Sequence, residues 1–534
     1  MELDTSTTRL SLVQNIWVQT MLALIIILFS TKLWSEYSFN ATKIAKASGL
    51  LPPTIPYWIP YLRHAFPMAS DLKRFAAKVL YENQDGTPVF LQAAHEKILF
   101  LTNPQHVKRV LESAVELDPT PFVNERIMGR LMGSPKSAVD FYMSGDDRAD
   151  FAQTVQMRQH LTGLSLGFMT KKLFQAFRTN VSNLLGAYAD GTWVDISDLY
   201  AFIEDQLTRA IVETLMGSAF LEGYPEMVAD LWTHIEATDH FFKGLPRILM
   251  PTAFAARDRL LSHLMSYSEK VERFQGEKGH SSAAEWDSVA GSALLQDREA
   301  LFSSMPGHGQ EGRAAQSLGL VYGGTSLTVP ITFWCILETL KDPKLLQRVQ
   351  GELERFHEGG NEHYNFAQLT CRPLLQSLHA EVTRFRSSNL IVRLNLVPKF
   401  ALDDKYTIDK GTLCMMAAKP LGQFTESWIK AKPHTVSQPL DTFWADRFLQ
   451  SDKFNVAGLT GYWTSFGGGK HMCPGRHFAR NIAIVTMAVL LSDFECELVD
   501  VEAAKRTNPP QKETAFGTVK PTATIAARIR KRSA

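Results

Sequence analysis

Phe466-Gly-Gly-Gly-Lys-His-Met-Cys-Pro-Gly475 sets one cysteine in a glycine-rich loop. Such a loop can present a single thiolate, from Cys473, to a haem iron. The glycines let the backbone pass close to a porphyrin and take φ > 0 where a Cβ would clash. Phe466 would cover the sulfur on one side, and backbone N–H groups would point at it and tune it. Pro474-Gly475 turns the chain into an apolar helical run, Arg476 to Leu491. A thiolate axial ligand pushes electron density onto iron and favours O–O cleavage. The competing reading is a buried structural cysteine in a glycine-rich turn.

Other residues could hold that loop. Glu381-Val-Thr-Arg384 puts a carboxylate and a guanidinium on one face of a helix opening near Leu374. Buried, the pair needs a further donor, and Arg447 in Phe443-Trp-Ala-Asp-Arg-Phe448 is the candidate. Glu352-Leu-Glu-Arg355 has the same spacing and reads as surface ion pairing. Ser326 and Thr328, in Gly323-Gly-Thr-Ser-Leu-Thr-Val-Pro330, are hydroxyls on a helix that Pro330 must interrupt.

The spacing Phe-x-x-Gly-x-His-x-Cys-x-Gly resembles the signature of the cytochrome P450 family, and Glu-x-x-Arg followed by Arg447 fits its order. The resemblance implies haem b as cofactor, with Cys473 as the axial iron ligand and Phe466 and Gly475 beside it. His471 stands where the family usually has Arg or His to meet a propionate, and Arg393 where related enzymes often supply a second partner. The family's Trp-x-x-x-Arg motif is not visible, and Arg158 is a weak substitute. Members commonly carry an acid and then Thr at the centre of the helix over the haem, which together deliver protons. Here Ser326 holds the acid position and Leu327 the Thr position, leaving Ser326 and Thr328 as the distal candidates. Thr-Val-Pro-Ile-Thr-Phe-Trp334 resembles the branch with the sterol 7α- and 12α-hydroxylases and prostacyclin synthase. Asp342-Pro343, Gly351-Glu-Leu-Glu354, Phe516-Gly517 and Pro521 support it.

The elements that must position these groups follow from pattern. Apolar residues at three- and four-residue spacing predict helices at Asp71–Tyr81, Thr102–Glu116, Phe151–Ala189, Ile196–Gly217, Pro225–Thr238 and Arg257–Gln275. Gly276–Gly312 reads as a long connection with one short helix. Strand-like pieces are short and late: Ile391–Leu396, Tyr406–Ile408 and Ala523–Arg530. The fold class is mainly α with small β-sheets, one large haem domain over 65–534. Its substrate pocket should draw on Phe122–Met132, the Gly323 region, the stretch after Arg386 and Thr514–Val519.

Composition narrows the function. Lys plus Arg number 56 and Asp plus Glu 55, which argues against a nucleic-acid binder. Five widely spaced cysteines, Cys335, Cys371, Cys414, Cys473 and Cys496, form neither a zinc pattern nor a disulfide framework. A reduced compartment follows.

Residues 16–34 are apolar enough for a transmembrane anchor behind a luminal segment at 1–15, and no signal-cleavage site follows. Lys32, Lys43 and Lys46 after the span, against Arg9 before it, place the body in the cytosol, on the endoplasmic reticulum membrane. The sequons at Asn40 and Asn180 should then stay unmodified. Residues 35–64, with Pro52, Pro53, Pro56 and Pro60, read as a stiff hinge.

The first expectation is therefore a membrane-anchored monooxygenase. It would use O2 and electrons from NADPH through NADPH-cytochrome P450 reductase, on an apolar polycyclic substrate, a terpenoid or sterol. A haem-thiolate isomerase of the same fold is the second reading, and a non-catalytic haem sensor or carrier the third.

Overall fold

The computed structural model describes residues 4–83, 85–93, 96–144, 147–186, 191–278, 285–355, 357–358, 363–423, 425–507 and 520–532. The expected segment Thr514–Val519, including Phe516-Gly517, lies outside them. The chain forms two compact units, one of residues 1–118 and 390–421, the other of 119–389 and 422–534.

The first unit opens with a long helix, α1 (Asp4–Ile44). From Trp17 to Ile44 it is long and apolar enough to cross a membrane, with mean hydropathy 1.6 over its best window. Trp17, Met21, Ile26 and Phe29 are all exposed. The helix runs ten residues into the expected hinge, because nothing before Ile44 breaks it. The proline-rich part of that hinge is no free spacer. Phe90 N donates to Pro53 O (2.8 Å) and Ile55 N donates to Phe90 O (3.0 Å). Proline lacks an N–H, yet its carbonyl still accepts, so the segment edges a sheet. That sheet has five strands in the order Val89–Ala93, Glu96–Leu101, Leu413–Ala417, Leu390–Asn395, Leu117–Asp118. Leu413–Ala417 runs parallel to Glu96–Leu101 and antiparallel to Leu390–Asn395.

The second unit is helical. Its main elements are α2 (Asp147–His160), α3 (Gly163–Leu185), α4 (Leu199–Met216), α5 (Met227–Glu236), α6 (Pro251–Lys278), α7 (Gln310–Thr325), α8 (Thr328–Leu340), α9 (Pro373–Arg386) and α10 (Arg476–Ala488). The predicted run Phe151–Ala189 is two helices, parted at Leu161-Thr162. The predicted connection holds one helix, Ala293–Ser303. A three-stranded sheet pairs Phe494–Leu498, Ala527–Lys531 and Val194–Ile196.

α8 is buried along its whole length. An all-round apolar helix belongs in a core rather than at a surface. Phe333, Trp334, Cys335, Ile336 and Leu337 are fully buried there, where α8 packs against α4, α9 and α10. The site elements thus rest on the most deeply packed part of the unit.

Candidate functional site

The cysteine loop is closed by its own backbone. Cys473 N donates to Phe466 O (2.9 Å), and Gly467 N donates to Thr464 O (2.8 Å). Gly467 and Gly469 sit at φ +74 and +64, in the left-handed region that glycine tolerates. Phe466 stacks on His379 (6.1 Å, 15°) and meets Trp463 edge-on (6.2 Å). His471 ends the one-turn helix Gly469–His471. Gly475 then caps α10, where a Cβ would stand 3.8 Å from Cys473 Sγ.

Burial by the surrounding protein pushes the Cys473 thiol up, while the backbone N–H groups of Gly475 and Arg476 donate to its sulfur and oppose that shift. Cys473 is itself accessible, so the desolvation comes from the protein around it rather than from contact burial. Cys335, Cys414 and Cys496 are buried, and burial raises each thiol. Those three are inert core residues. Cys473, like Cys371, is accessible, and it has two N–H donors aimed at its sulfur.

Behind the loop stands a buried ion cluster. Arg384 Nε donates to Glu381 Oε2 (2.7 Å) and its Nη2 to Glu381 Oε1 (2.8 Å). Arg447 Nε and the Trp444 N–H reach the same Oε1 at 2.9 and 3.0 Å. The side chains of Glu381, Arg384 and Arg447 are 0 % exposed. The remaining guanidinium donors go to carbonyls of Gly422, Thr435, Gln438, Pro439, Leu440 and Thr442. The structure thus brings the three predicted residues together and ties α9 to the stretch 422–442. Glu352 instead pairs with Arg372, and its Arg355 contact is long, at 3.7 Å, with Arg355 exposed.

The predicted helix interruption lies between α7 and α8, at Ser326-Leu327. Pro330 has no N–H to give the Ser326 carbonyl. Helical bonding resumes with Ile331 N to Leu327 O (3.1 Å). Gly324 allows close approach to α4, because a Cβ there would lie 3.3 Å from Leu215 Cδ1. Gly323 faces open space. Thr328 is buried, and its carbonyl accepts the Thr332 hydroxyl at 2.8 Å.

Sequence reasoning missed two hydroxyls here. Tyr322 Oη bonds Thr238 Oγ1 at 2.7 Å and shares a side-chain hydrogen bond with Ser326. Burial pushes the Tyr322 phenol up to about 12, so it stays protonated. Thr238 also donates to Ile235 O (2.6 Å). Its single proton is spent on that carbonyl, so Tyr322 is the donor to Thr238. A partner 84 positions away leaves no mark in local spacing.

Arg393 belongs to the first unit, on Leu390–Asn395. Its Nη1 donates to Val392 O (2.8 Å), and burial lowers its pKa to about 10. Arg158, the weak substitute, donates to Lys470 O at 3.4 Å.

The donor set fits a haem. Among the described residues no group of three or more His, Cys, Asp or Glu could hold a bare metal ion. A single sulfur that receives two N–H donors suits the thiolate that would hold a haem iron. The cytochrome P450 family profile matches residues 53–526. The chain belongs to the cytochrome P450 family. This P450 is 26% identical to the cytochrome P450 monooxygenase efuG of Hormonema carpetanum, over 97% of this chain and 96% of that one. It is 28% identical to the cytochrome P450 monooxygenase fsoE of Humicola fuscoatra, over 93% and 91%. It is 26% identical to the 25-hydroxycholesterol 7-alpha-hydroxylase of Rattus norvegicus, over 64% and 81%. These matches agree with the sterol-hydroxylase-like branch expected from the Thr-Val-Pro run. As a P450 monooxygenase the enzyme takes a haem-thiolate iron cofactor, and the family generally uses a redox partner, O2 and lipophilic substrates.

Two buried histidines set an acid limit on this fold. Burial lowers His234 and His379 to about 3, with Arg257 and Arg480 adding to the effect. Neither ring nitrogen of His234 has a hydrogen-bond partner. Both rings are neutral when folded, while the unfolded chain takes up protons near 6.5. Their contribution is complete above 6.5 and is lost as pH falls toward 3. Each should remove up to about 1.4 kcal/mol per pH unit below that point. The urea midpoint should therefore fall between pH 7 and pH 5, and His379→Leu should flatten the slope. An unchanged slope would contradict the neutral assignment.

Proposed function

We propose that this P450 is a membrane-anchored monooxygenase that oxidises an apolar polycyclic substrate, a terpenoid or sterol. Cys473 holds the iron of haem b, and electrons come from NADPH through NADPH-cytochrome P450 reductase. One observation carries the reading: an accessible thiol at the start of α10 that receives the Gly475 and Arg476 N–H groups. Those donors disperse charge on the sulfur and hold its orientation. His471 is the basic group for a propionate. Glu381, Arg384 and Arg447 fix the approach to the loop, and residues 65–534 form the catalytic body.

The bound haem supplies oxygen activation by a thiolate-ligated iron. This chain's residues supply the rest. Ser326 and Thr328 flank the helix break, where the usual acid is absent. Tyr322 gives its proton to Thr238, so its lone pairs are free to accept from Ser326. That ordering sets the Ser326 hydroxyl as donor to Tyr322 and leaves Ser326 Oγ able to accept from water or a substrate hydroxyl. The substrate class rests on the relatives, one of which is named for 7-alpha-hydroxylation of 25-hydroxycholesterol. α1 is the anchor, with the body on the cytosolic side of the endoplasmic reticulum.

Co-expression with a reductase and a panel of polycyclic terpenoids and sterols tests this. The expected result is a product with one added oxygen whose formation stops without NADPH. Product that forms equally without NADPH and reductase would assign an isomerase instead.

A further inference from the structure

A separate cavity of about 270 Å³ lies behind the cysteine loop, and Cys473 does not line it. One wall is apolar, with Phe454, Val456, Leu459 and Met472. The lining also carries Arg476 and Arg480, one turn apart on α10. Among the described residues, no Asp or Glu lines the cavity.

The charge balance there is unusual. Like charges at i and i+4 on a helix repel. Burial lowers the Arg480 pKa, and Arg476 lowers it further, with only Cys371 opposing. Arg480 Nε is buried, with no hydrogen-bond partner among the described residues. Arg476 Nη1 donates to the Cys473 carbonyl at 3.0 Å. Burial lowers both lining histidines, His379 and His477. Among the described residues, the cavity lining therefore presents two guanidiniums and no carboxylate. Desolvating the Arg480 charge is costly, and an anion in that space would offset the cost.

We propose that this cavity binds a small organic oxyanion, a carboxylate or phosphate head on an apolar body, held by Arg476 and Arg480. The guanidinium fork matches the planar pair of oxygens on such a head. The space exceeds a bare oxyanion, and its apolar wall accounts for the rest of the ligand. Occupancy also reaches the loop. Arg476 gives its backbone N–H to the Cys473 sulfur and its side chain to the Cys473 carbonyl. A head group that draws the guanidinium away releases that carbonyl.

Calorimetric titration of the full-length holoprotein with octanoate and with octyl phosphate tests the site, with octanol as the neutral control. Saturable binding of either anion, at a site octanol does not compete for, is expected, and the tighter head names the source. Arg480→Gln should weaken it about ten- to hundredfold, the loss of one charge-assisted hydrogen bond. Thr460→Glu, which brings a carboxylate to the lining, should weaken it comparably while keeping the protein folded. No saturable binding, full competition by octanol, or unchanged affinity in both variants overturns the proposal. The reduced CO-bound spectrum of the same samples reports Cys473 ligation separately, so the two readings fail independently.

Discussion

Glu381→Gln should destabilise the protein strongly and lower the yield of folded holoprotein. Among the described residues, this carboxylate is the one that ion-pairs with both Arg384 and Arg447, and all three side chains are 0 % exposed. Glutamine keeps one acceptor oxygen but removes the charge. Two guanidiniums would then sit in a dry interior with carbonyl partners alone. Breaking a buried pair this way costs about 3–5 kcal/mol. A domain typically has about 5–15 kcal/mol in total. The urea midpoint should drop by a large fraction at unchanged m-value, and soluble yield should fall with it. Arg384→Lys should also be severe. One ammonium cannot replace the paired bonds at 2.7 and 2.8 Å or those to Gly422 and Leu440. A midpoint within experimental error of the parent would mean that the cluster does not hold the fold.

Cys473→Ser should abolish turnover while leaving the fold near its parent stability. Serine is close to cysteine in size, so the substitution removes little packing. The loop keeps its backbone closure, Cys473 N to Phe466 O, whatever the side chain. A serine hydroxyl is a far poorer ligand than a thiolate at neutral pH, because it holds its proton. Product formation should fall below detection, with the urea midpoint shifted by about 1 kcal/mol or less. Retained turnover would remove Cys473 from the chemistry. A collapsed midpoint with normal ligation would make the cysteine structural.

The contrast between these variants explains what the chain reveals when read linearly. The thiolate loop is contiguous, so ten adjacent residues carry its whole pattern. Glu381 and Arg384 share one helix face by spacing alone, and Arg447 followed from its order. The interruption at Ser326-Leu327 was legible because Pro330 must leave a carbonyl without its helical donor. Long helices such as Leu199–Met216 were legible within a few residues from periodicity.

Features made by distant partners were not. Strand Glu96–Leu101 is a short apolar run that becomes a strand through Val89–Ala93 and the far segment Leu413–Ala417. Its residues read equally well as buried helix. Pro53 and Ile55 join the same sheet only through Phe90. Val123–Leu131 winds as a π-helix, which leaves no mark in composition. Tyr322 found Thr238, and Arg476 and Arg480 found an apolar wall, only through tertiary packing.

The central claim is that Cys473 is the iron ligand, and the reduced, CO-bound absorption spectrum of the purified full-length protein tests it most directly. The account predicts a Soret band at the long-wavelength position of thiolate ligation, lost in Cys473→Ser. A band at the imidazole-ligated position in the parent protein, or a thiolate band that survives Cys473→Ser, would contradict it.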